Sequence, residues 1–399
     1  MSAVRAFAPT NQPTAPARFK RHCWHIVGDK DHPVAAELRA RSAAPGVAPP
    51  GTAVLLGRKF GWEDNARLLD GIASASRDGG RLALMHLGAG GASLLRCAAI
   101  ENPGFNNVTI ELPPCPSGRA LRVAVTLANS VATGTREVKV DDCGRLSRTV
   151  WSPVELPSLG GGRVAQPESV LVTGGLGGLG LRAASVLAHR CGLHPVLADN
   201  TRRETLAPGE ARHLNRLAQN GTGCTVLTVD LTDASATAAA LSTLDTPPVS
   251  AVVHCAGVLQ GGPIDQFTSL DLVTAQRVKV DGLRNVLTSL DNSRLRQLVT
   301  FGSVTAEQPH RSMACYALAN ELLCRATLYA ARALPDCATV VAEWSLWSGA
   351  GMAQRAGAVG QARRMGMMPV NLRAGMTALL RLFGWPAGPE AATALILSG

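Results

Sequence analysis

Short apolar runs alternate with longer stretches of helical composition through the second half of the chain. The apolar runs predict strands at residues 170–172, 195–198, 226–229, 251–254, 297–301, 339–343 and 392–397. Proline-free stretches between them predict helices at residues 179–190, 277–286 and 314–334. Strands that alternate with helices favour a parallel sheet covered on both faces. The predicted fold class is therefore α/β, a doubly wound parallel sheet whose ligand lies outside the carboxyl ends of the strands.

The first half of the chain carries a weaker pattern of the same kind. Strand-like runs fall at residues 53–56, 82–86, 121–127 and 137–140, and residues 64–76 are compatible with a helix. This half has no glycine fingerprint and no obvious catalytic cluster. Residues 1–18 are rich in proline and alanine and predict a flexible lead, and the glycine-rich stretch 159–168 predicts a junction. A chain of 399 residues suits two cores, here predicted at residues 19–158 and 169–399.

A turn crowded with glycine follows the strand at residues 170–172. It satisfies Gly-x-Gly-x-x-Gly and Thr-Gly-x-x-x-Gly-x-Gly at once, and a helical run follows it. Glycine lets the backbone approach a pyrophosphate, and the helix N-terminus offers free N–H groups to the phosphates. A flexible glycine linker is disfavoured because the flanking residues are apolar and periodic. The candidate phosphate-binding residues are Thr173, Gly174, Gly175, Leu176, Gly177, Gly178, Leu179 and Gly180.

Other candidate cofactor contacts lie where the following strands end. An acid about 20 residues after the glycine loop normally binds the ribose 2′-hydroxyl of NAD, whereas an arginine there accepts the 2′-phosphate of NADP. Asp199 lies 19 residues after Gly180 and favours NAD, while two arginines follow within three more residues. The candidates are Asp199, Asn200, Arg202 and Arg203 after the second strand, Asp230 and Leu231 after the third, and Cys255, Ala256 and Gly257 after the fourth.

A candidate proton donor follows the strand at residues 297–301. Tyr316, one of two tyrosines in the chain, begins a helical run, and Ser303 comes just after the strand. A free tyrosine has a pKa near 10, so it donates a proton poorly at neutral pH unless a cation lowers that pKa. The residue four positions on is Asn320, which leaves Lys279 on the preceding helix as the candidate cation. Each residue alone is more often structural, but their order after a dinucleotide loop favours catalysis.

Composition excludes several other classes of protein. The ten cysteines are scattered without a Cys-x-x-Cys pair, and the nine histidines have no metal-ligand spacing, so we predict no metal site. The net charge of +10 comes from arginines spread along the chain, and aromatic residues make up only 4%, which disfavours nucleic-acid binding. No apolar run approaches the roughly 20 residues that span a bilayer. A cytoplasmic location is expected, with a basic transit peptide at the N-terminus as the alternative.

The ordered set of motifs resembles the ketoreductase (KR) domains of modular polyketide synthases, within the short-chain dehydrogenase/reductase superfamily. Most of that superfamily carries Tyr-x-x-x-Lys. Polyketide ketoreductases instead place asparagine four positions after the tyrosine and bring the lysine from the preceding helix, as Asn320 and Lys279 do here. The resemblance runs from about residue 170 to 353 and includes Lys-Val-Asp-Gly at 279–282 and Glu-Trp-Ser-Leu-Trp at 343–347. Residues 19–24 also resemble the basic-aromatic linker before such domains.

The resemblance implies a Rossmann catalytic subdomain and an N-terminal, truncated Rossmann-like structural subdomain that binds no cofactor. It implies that Tyr316 protonates the substrate carbonyl oxygen, Ser303 hydrogen-bonds that oxygen, and Lys279 lowers the tyrosine pKa and binds the nicotinamide ribose. Asn320 would hold the lysine and the proton relay. Asp230 would meet the adenine edge.

The implied activity is NADPH-dependent reduction of a β-ketoacyl thioester in polyketide or fatty acid biosynthesis. The acyl chain would be carried on a phosphopantetheinyl acyl carrier protein, with other polyketide synthase domains as partners. Arg202 or Arg203 would read the 2′-phosphate, because Asn200 replaces the usual arginine. The alternatives are a reductase of another carbonyl substrate and a non-catalytic structural domain of a synthase. The alcohol configuration stays open, since Leu-Gln-Gly at 259–261 and Gln308 replace the residues that mark the two stereochemical classes.

Overall fold

One mixed sheet of fourteen strands runs through the protein, and helices cover both of its faces. This computed structural model describes residues 4–14, 22–29, 31–44, 46, 50–77, 81–130, 134–158, 168–219, 223–355, 357–364, 368–386 and 392–398. The strands are β1 (Val4–Pro13), β2 (Cys23–Gly28), β3 (Pro50–Leu56), β4 (Arg81–His86), β5 (Asn106–Glu111), β6 (Thr135–Val140), β7 (Leu146–Val154), β8 (Ser169–Thr173), β9 (His194–Asp199), β10 (Thr225–Thr228), β11 (Val249–His254), β12 (Gln297–Ser303), β13 (Ala338–Trp344), β14 (Trp347–Ser348), β15 (Val370–Asn371) and β16 (Ala392–Ser398).

The helices connect these strands in both halves of the molecule. They are α1 (Pro33–Arg41), α2 (Glu63–Arg77), α3 (Ala92–Glu101), α4 (Gly118–Ala128), α5 (Gly178–Cys191), α6 (Pro208–Gln219), α7 (Ala234–Ser242), α8 (Ser269–Gln276), α9 (Gly282–Ser289), α10 (Ala314–Ala333), α11 (Met352–Arg355), α12 (Ala358–Arg364) and α13 (Leu372–Leu382). A π-helical turn, Arg277–Asp281, joins α8 to α9. No helix in the described ranges is long and apolar enough to cross a membrane.

The second half of the chain forms a parallel sheet of Rossmann type, as predicted. Its strand order is β10-β9-β8-β11-β12-β13-β16, so the order reverses between β8 and β11. Thr173 at the end of β8 pairs with His254 at the end of β11, which places both strand ends at one edge. In such sheets the ligand lies in the crevice outside the carboxyl ends of the strands, where the order reverses. The predicted strands of this half are confirmed to within about two residues.

The first half forms a second parallel unit, in which β2 to β6 are adjacent in sequence order. These described strands contain no reversal of order, and so none of the crevice that such a reversal creates. The predicted strand at residues 121–127 is wrong, because this segment is helix α4. Ser117 begins that helix by accepting a hydrogen bond from the Ala120 N–H at 3.1 Å. The helix buries Ala120, Ala124 and Leu127 against the sheet.

The first strand of the chain joins the two parallel units into one sheet. β1 pairs antiparallel with β16 from the end of the chain and with β7 from the first half. The predicted flexible lead is therefore wrong for residues 4–13, because residues 4–7 pair with β16 and residues 6–13 pair with β7. Trp24, predicted in a linker, lies buried in β2. Of the predicted junction, residues 159–167 lie outside the described residues, and the subdomain boundaries stay a prediction.

The two halves share a buried interface in front of the sheet. Apolar residues of α2 and α3 pack against α8 and α10, with Leu68, Leu94, Leu272 and Leu318 in one continuous core. The interface is also polar. Glu321 on α10 accepts hydrogen bonds from the backbone N–H groups that begin α3. The helix that carries the candidate tyrosine is therefore held directly by the first half of the chain.

Candidate active site

The glycine turn after β8 forms a tight cradle at the start of α5. Gly174 has φ +61°, a conformation that favours glycine, and a side chain there would approach the backbone of Ala256 within 3.0 Å. A Cβ on Gly180 would lie 2.2 Å from the Gly174 carbonyl oxygen. The helix begins at Gly178, and its N-cap Gly177 offers no side-chain hydrogen bond. The first N–H groups of α5 are thus left for an external anion, and the cradle fits a dinucleotide pyrophosphate.

The end of β9 holds this turn in place. Asp199 accepts hydrogen bonds from the Leu176 N–H at 3.0 Å and from the Thr201 N–H at 2.9 Å. One carboxylate oxygen therefore holds the backbone of the cradle, and the other holds the turn that follows β9. Asn200, Arg202 and Arg203 are all exposed beside it, and the Arg203 guanidinium donates to Asn215 at 2.9 Å. Of the two arginines predicted to bind the 2′-phosphate, Arg203 is therefore the one whose guanidinium is held by a hydrogen bond to Asn215.

The remaining predicted cofactor residues lie along the same edge of the sheet. Asp230 is exposed and accepts a hydrogen bond from the Thr232 N–H at 2.9 Å. The backbone of Leu231, Cys255 and Ala256 is fixed by hydrogen bonds to Asn285 and Thr173. These contacts bring the four predicted strand ends together.

A neutral histidine connects three of these segments. His254 Nε2 donates to the Lys279 carbonyl oxygen at 2.9 Å, so its Nδ1 accepts from the Thr173 hydroxyl at 2.8 Å. Burial and the neighbouring Lys279 ammonium lower the pKa of His254 to about 3. The imidazole is therefore uncharged at neutral pH and acts as a structural link between β8, β11 and the π-helical turn.

Lys279 lies in that π-helical turn, and its side chain is almost completely buried. Its Nζ donates to the Phe301 carbonyl oxygen at 3.0 Å. A Cβ on Gly257 would lie 3.0 Å from Lys279 Cε, so any side chain at this position would press against the lysine. Burial lowers the pKa of the Lys279 ammonium to about 8. The group is still mostly charged at pH 7, in an interior where a charge acts strongly on its neighbours.

Tyr316 lies at the start of α10, with Lys279 Nζ 5.9 Å from its ring centroid. Burial raises the pKa of the Tyr316 phenol above its ordinary value, and side-chain hydrogen bonds with Asn320 and Ser303 act in the opposite direction. The predicted lowering of this pKa by Lys279 is therefore not found. The phenol stays protonated at neutral pH and is available as a donor.

Ser303 is oriented by the turn that follows β12. Its Oγ accepts from the Thr305 N–H at 3.3 Å and from the Thr305 hydroxyl at 3.0 Å. A serine hydroxyl has two acceptor positions and one hydrogen to donate. With both acceptor positions engaged by Thr305, the serine hydrogen points to the Tyr316 phenol and can be donated to a substrate carbonyl oxygen that takes its place.

Asn320 is completely buried one turn after Tyr316. Its Nδ2 donates to the Tyr316 carbonyl oxygen at 2.7 Å. Its Oδ1 is buried and has no hydrogen-bond partner within the part of the chain that the structure describes. A buried unsatisfied acceptor calls for a functional or solvent partner. All four predicted catalytic residues thus lie at one edge of the sheet, beside the glycine cradle.

Several contributors gave no signal in the sequence. The Phe301 carbonyl that holds Lys279 is a backbone group, and any residue would supply it. The π-helical turn follows a normal helical composition, although such turns occur frequently at functional sites. Thr305 is a turn residue of an ordinary type. No group of three or more metal-ligating side chains occurs in the described ranges.

Comparison with known proteins agrees with this geometry. A family model described as "KR domain" matches residues 168–349. A pikromycin polyketide synthase component of Streptomyces venezuelae is 32% identical over 263 residues, which cover 65% of this chain and 16% of that protein. An erythronolide synthase of Saccharopolyspora erythraea is 31% identical over 266 residues, which cover 65% of this chain and 8% of that protein. The chain therefore spans less than a fifth of these relatives.

Solved structures share the whole fold. A structure of A-type ketoreductases from modular polyketide synthase has a TM-score of 0.81 at 22% identity and covers 100% of this chain and 93% of its own. The ketoreductase from the first module of phoslactomycin biosynthesis in Streptomyces sp. HK803 has a TM-score of 0.76 at 22% identity, covering 99% and 93%. At this identity the structures establish the fold alone. The family match and the sequence relatives, in contrast, show that residues 168–349 form a ketoreductase (KR) domain of the kind found in polyketide synthases.

Proposed function

We propose that the chain reduces a β-ketoacyl thioester to a β-hydroxyacyl thioester with NADPH during polyketide biosynthesis. The observation that carries the proposal is the convergence of Ser303, Tyr316, Lys279 and Asn320 beside an uncapped glycine cradle. A nicotinamide dinucleotide held there supplies the hydride. The substrate is an acyl chain on a phosphopantetheinyl acyl carrier protein, and other polyketide synthase domains are the partners.

The side chains divide the proton chemistry between them. The Ser303 hydroxyl donates a hydrogen bond to the ketone oxygen and polarises the carbonyl. As a hydride adds to the carbonyl carbon, the Tyr316 phenol transfers its proton to the oxygen, which gives the alcohol and a tyrosinate. The buried Lys279 ammonium stabilises that anion. Asn320 is placed to hold a solvent molecule through its unsatisfied Oδ1, from which the tyrosinate regains a proton.

This division predicts how the rate depends on pH. The pKa of Lys279 is about 8, so the ammonium loses its proton as the pH rises through that value. The neutral amine no longer stabilises the tyrosinate. We expect kcat to be flat near neutral pH and to fall above about pH 8.

Arg202 is the proposed reader of the NADPH 2′-phosphate. Both arginines are exposed in the loop after β9, but the Arg203 guanidinium already donates to Asn215. Asp199 already holds the cradle with one carboxylate oxygen and its own turn with the other, which favours a structural role over binding the ribose. Arg202→Ala is expected to lower kcat/KM with NADPH by about ten-fold, the loss of one charge-assisted contact. An NADH preference unaffected by Arg202→Ala or Arg203→Ala would make Asp199 the ribose ligand.

The catalytic proposal is tested by NADPH oxidation with a β-ketoacyl N-acetylcysteamine thioester. Tyr316→Phe is expected to reduce turnover by at least about 100-fold, the usual contribution of positioned acid catalysis. Tyr329→Phe is the matched control, because Tyr329 is the other tyrosine and is 60% exposed. Equal turnover of the Tyr316→Phe variant and the wild type would remove the tyrosine from the mechanism. An inactive but folded wild type would favour a structural role, and activity only on free ketones would favour another reductase.

A further inference from the structure

A carboxylate from the first half of the chain bridges two loops at the edge of the candidate active site. The β11 loop (residues 255–264) follows β11, and the β12 loop (residues 304–313) joins β12 to α10. Both begin at carboxyl ends of parallel strands, where ligands bind in this class of sheet. Glu101, the last residue of α3, accepts from the Ile264 N–H at 2.7 Å with one oxygen and from the Ser312 N–H at 2.8 Å with the other.

The two loops also contact each other at this point. The Gly262 N–H donates to the Ser312 carbonyl oxygen at 3.0 Å. Ser312 has φ +61°, and it is the one non-glycine residue with a positive φ in the part of the chain that the structure describes. Such a conformation persists only where the surroundings impose it, and it is common at functional sites. The Glu101 carboxylate binds the N–H of this same residue and the Gly262 N–H binds its carbonyl oxygen, so both contacts act on the backbone at this position.

Both loops are continuous with catalytic residues. Ser312 lies four residues before Tyr316, and the loop backbone leads directly into α10 through Met313. At the other loop, Gly257 lies against Lys279. Gln260 of the same loop donates to Asp271 on α8 at 3.0 Å. A shift of either loop would therefore move the walls beside Tyr316 and Lys279.

The position of Glu101 is unfavourable for the helix that carries it. The C-terminus of a helix has a partial negative charge, so a carboxylate in the last turn is disfavoured. Two backbone N–H groups from the catalytic half compensate for this through charge-assisted hydrogen bonds. The carboxylate thus stabilises the arrangement of the loops at the expense of its own helix.

We infer that Glu101 is a positioning residue that fixes the β11 and β12 loops and thereby sets how the acyl chain presents its ketone to Tyr316. The expected effect on catalysis rests on the proposed ketoreduction, whereas the contacts between Glu101 and the two loops do not depend on it. A ketone held less firmly can turn either face toward the hydride. Loss of the bridge should therefore raise KM and change the ratio of alcohol enantiomers, while cofactor affinity stays constant.

The first test compares Glu101→Gln with Glu37→Gln, a control on α1 whose carboxylate pairs with Arg41 on the same helix. The glutamine keeps one acceptor oxygen and turns an NH₂ group toward the other backbone N–H. With a β-ketoacyl N-acetylcysteamine thioester, we expect kcat/KM to fall about ten-fold, mostly through KM, since one charge-assisted hydrogen bond is lost. The enantiomer ratio should change, and the NADPH Kd should stay within about two-fold of wild type. A folded Glu101→Gln variant with wild-type KM and enantiomer ratio would overturn the inference.

The second test measures amide hydrogen exchange and needs no substrate. Faster exchange in peptides covering residues 255–264 and 304–314 is expected in Glu101→Gln, and in Glu101→Asp, whose shorter side chain cannot reach both N–H groups. If the wild-type protein reduces no thioester, the proposed function fails, and faster exchange in these peptides still supports the bridge. Unchanged exchange in both loops overturns the inference whatever the activity.

Discussion

Removing the Glu321 carboxylate should weaken the contact between the two halves of the protein and lower its free energy of unfolding. Glu321 is buried on α10, directly after Asn320. It accepts hydrogen bonds from the N–H groups of Gly91 at 3.0 Å, Ala92 at 3.3 Å and Ser93 at 2.9 Å, and from the Ser93 hydroxyl at 2.6 Å. The carboxylate therefore caps α3 of one half from a helix of the other.

The magnitude follows from what the Glu321→Ala variant leaves behind. Three N–H groups at the start of α3 lose their acceptor in the interior, and Arg325 loses a partner at 3.5 Å. Burial alone would raise the pKa of Glu321, but Arg325, Arg96 and Ser93 bring it below its ordinary value, so the group is ionised. Breaking a buried charged contact of this kind costs about 3–5 kcal/mol. Ser93→Ala, which removes only the hydroxyl contact, should cost about 1 kcal/mol.

Urea unfolding followed by circular dichroism measures these differences. Glu37→Ala is the control, since its pair with Arg41 at the surface contributes no more than about 1 kcal/mol. A loss of less than about 1 kcal/mol in Glu321→Ala, with an unchanged slope against urea, would show that the cap does not hold the halves together. A new early transition, in contrast, would show that one half unfolds first.

Three further predictions concern other parts of the molecule. Gly180→Ala should weaken NADPH binding at least about ten-fold, because the new Cβ would lie 2.2 Å from the Gly174 carbonyl oxygen. Gly209→Ala is the control and should bind NADPH normally, since no atom lies within 4 Å of its Cβ. Equal Kd values for the two variants would contradict the proposal that the glycine cradle binds the cofactor. Burial acts to raise the pKa of Glu111, but the Arg325 guanidinium brings it to about 2, so its contribution to stability is complete above about pH 4.5 and is lost as the pH falls toward 2. Urea unfolding at a series of pH values should show this loss of stability in the wild type and a smaller loss in Glu111→Gln. Identical dependence of stability on pH in the two proteins would exclude a contribution from the Glu111 carboxylate. A chain beginning at residue 168 should aggregate on size-exclusion chromatography, because Leu272 and Leu318 lose their apolar cover; a stable, fully active monomer would contradict the shared interface.

The strands of the catalytic half could be predicted because they are buried on both faces. All five residues of β8 are buried, so the run is apolar without interruption and is easily recognised. Helix α4 was not recognised. Its residues 121–127 alternate between apolar and polar side chains in part, which is typical of a strand. Two features favour a helix here. Ser117 caps its N-terminus, and the parallel strands β5 and β6 need a crossover connection between them.

Strand β1 could not be predicted from local sequence at all. Its partners are β7 and β16, which lie far along the chain, and its own composition is rich in alanine and proline. The same reason applies to the contacts between the halves. Glu321 and Gly91 are 230 residues apart, and Glu101 and Ser312 are 211 apart. Contacts between residues so far apart leave no periodic pattern in the sequence from which they could be predicted.

The candidate site could be predicted as a set of residues, but not in its electrostatics. The order of the glycine turn, Lys279, Ser303, Tyr316 and Asn320 identified the residues that the fold brings to one edge. Burial raises the pKa of Tyr316 and lowers that of Lys279, and burial could not be read from the residue order. In the proposed mechanism the lysine therefore stabilises the tyrosinate formed during reduction, while the resting phenol stays protonated.

Deuterium transfer tests the central claim most directly. The wild-type protein is incubated with NADPH deuterated at C4 of the nicotinamide and a β-ketoacyl N-acetylcysteamine thioester, and the product is analysed by mass spectrometry. The account predicts a product with one deuterium at the carbinol carbon, formed at similar rates by the wild type and Tyr329→Phe. Tyr316→Phe should form this product at least about 100-fold more slowly. Deuterated product at the wild-type rate from Tyr316→Phe, or no transfer from the folded wild type to any β-ketoacyl thioester, would contradict it.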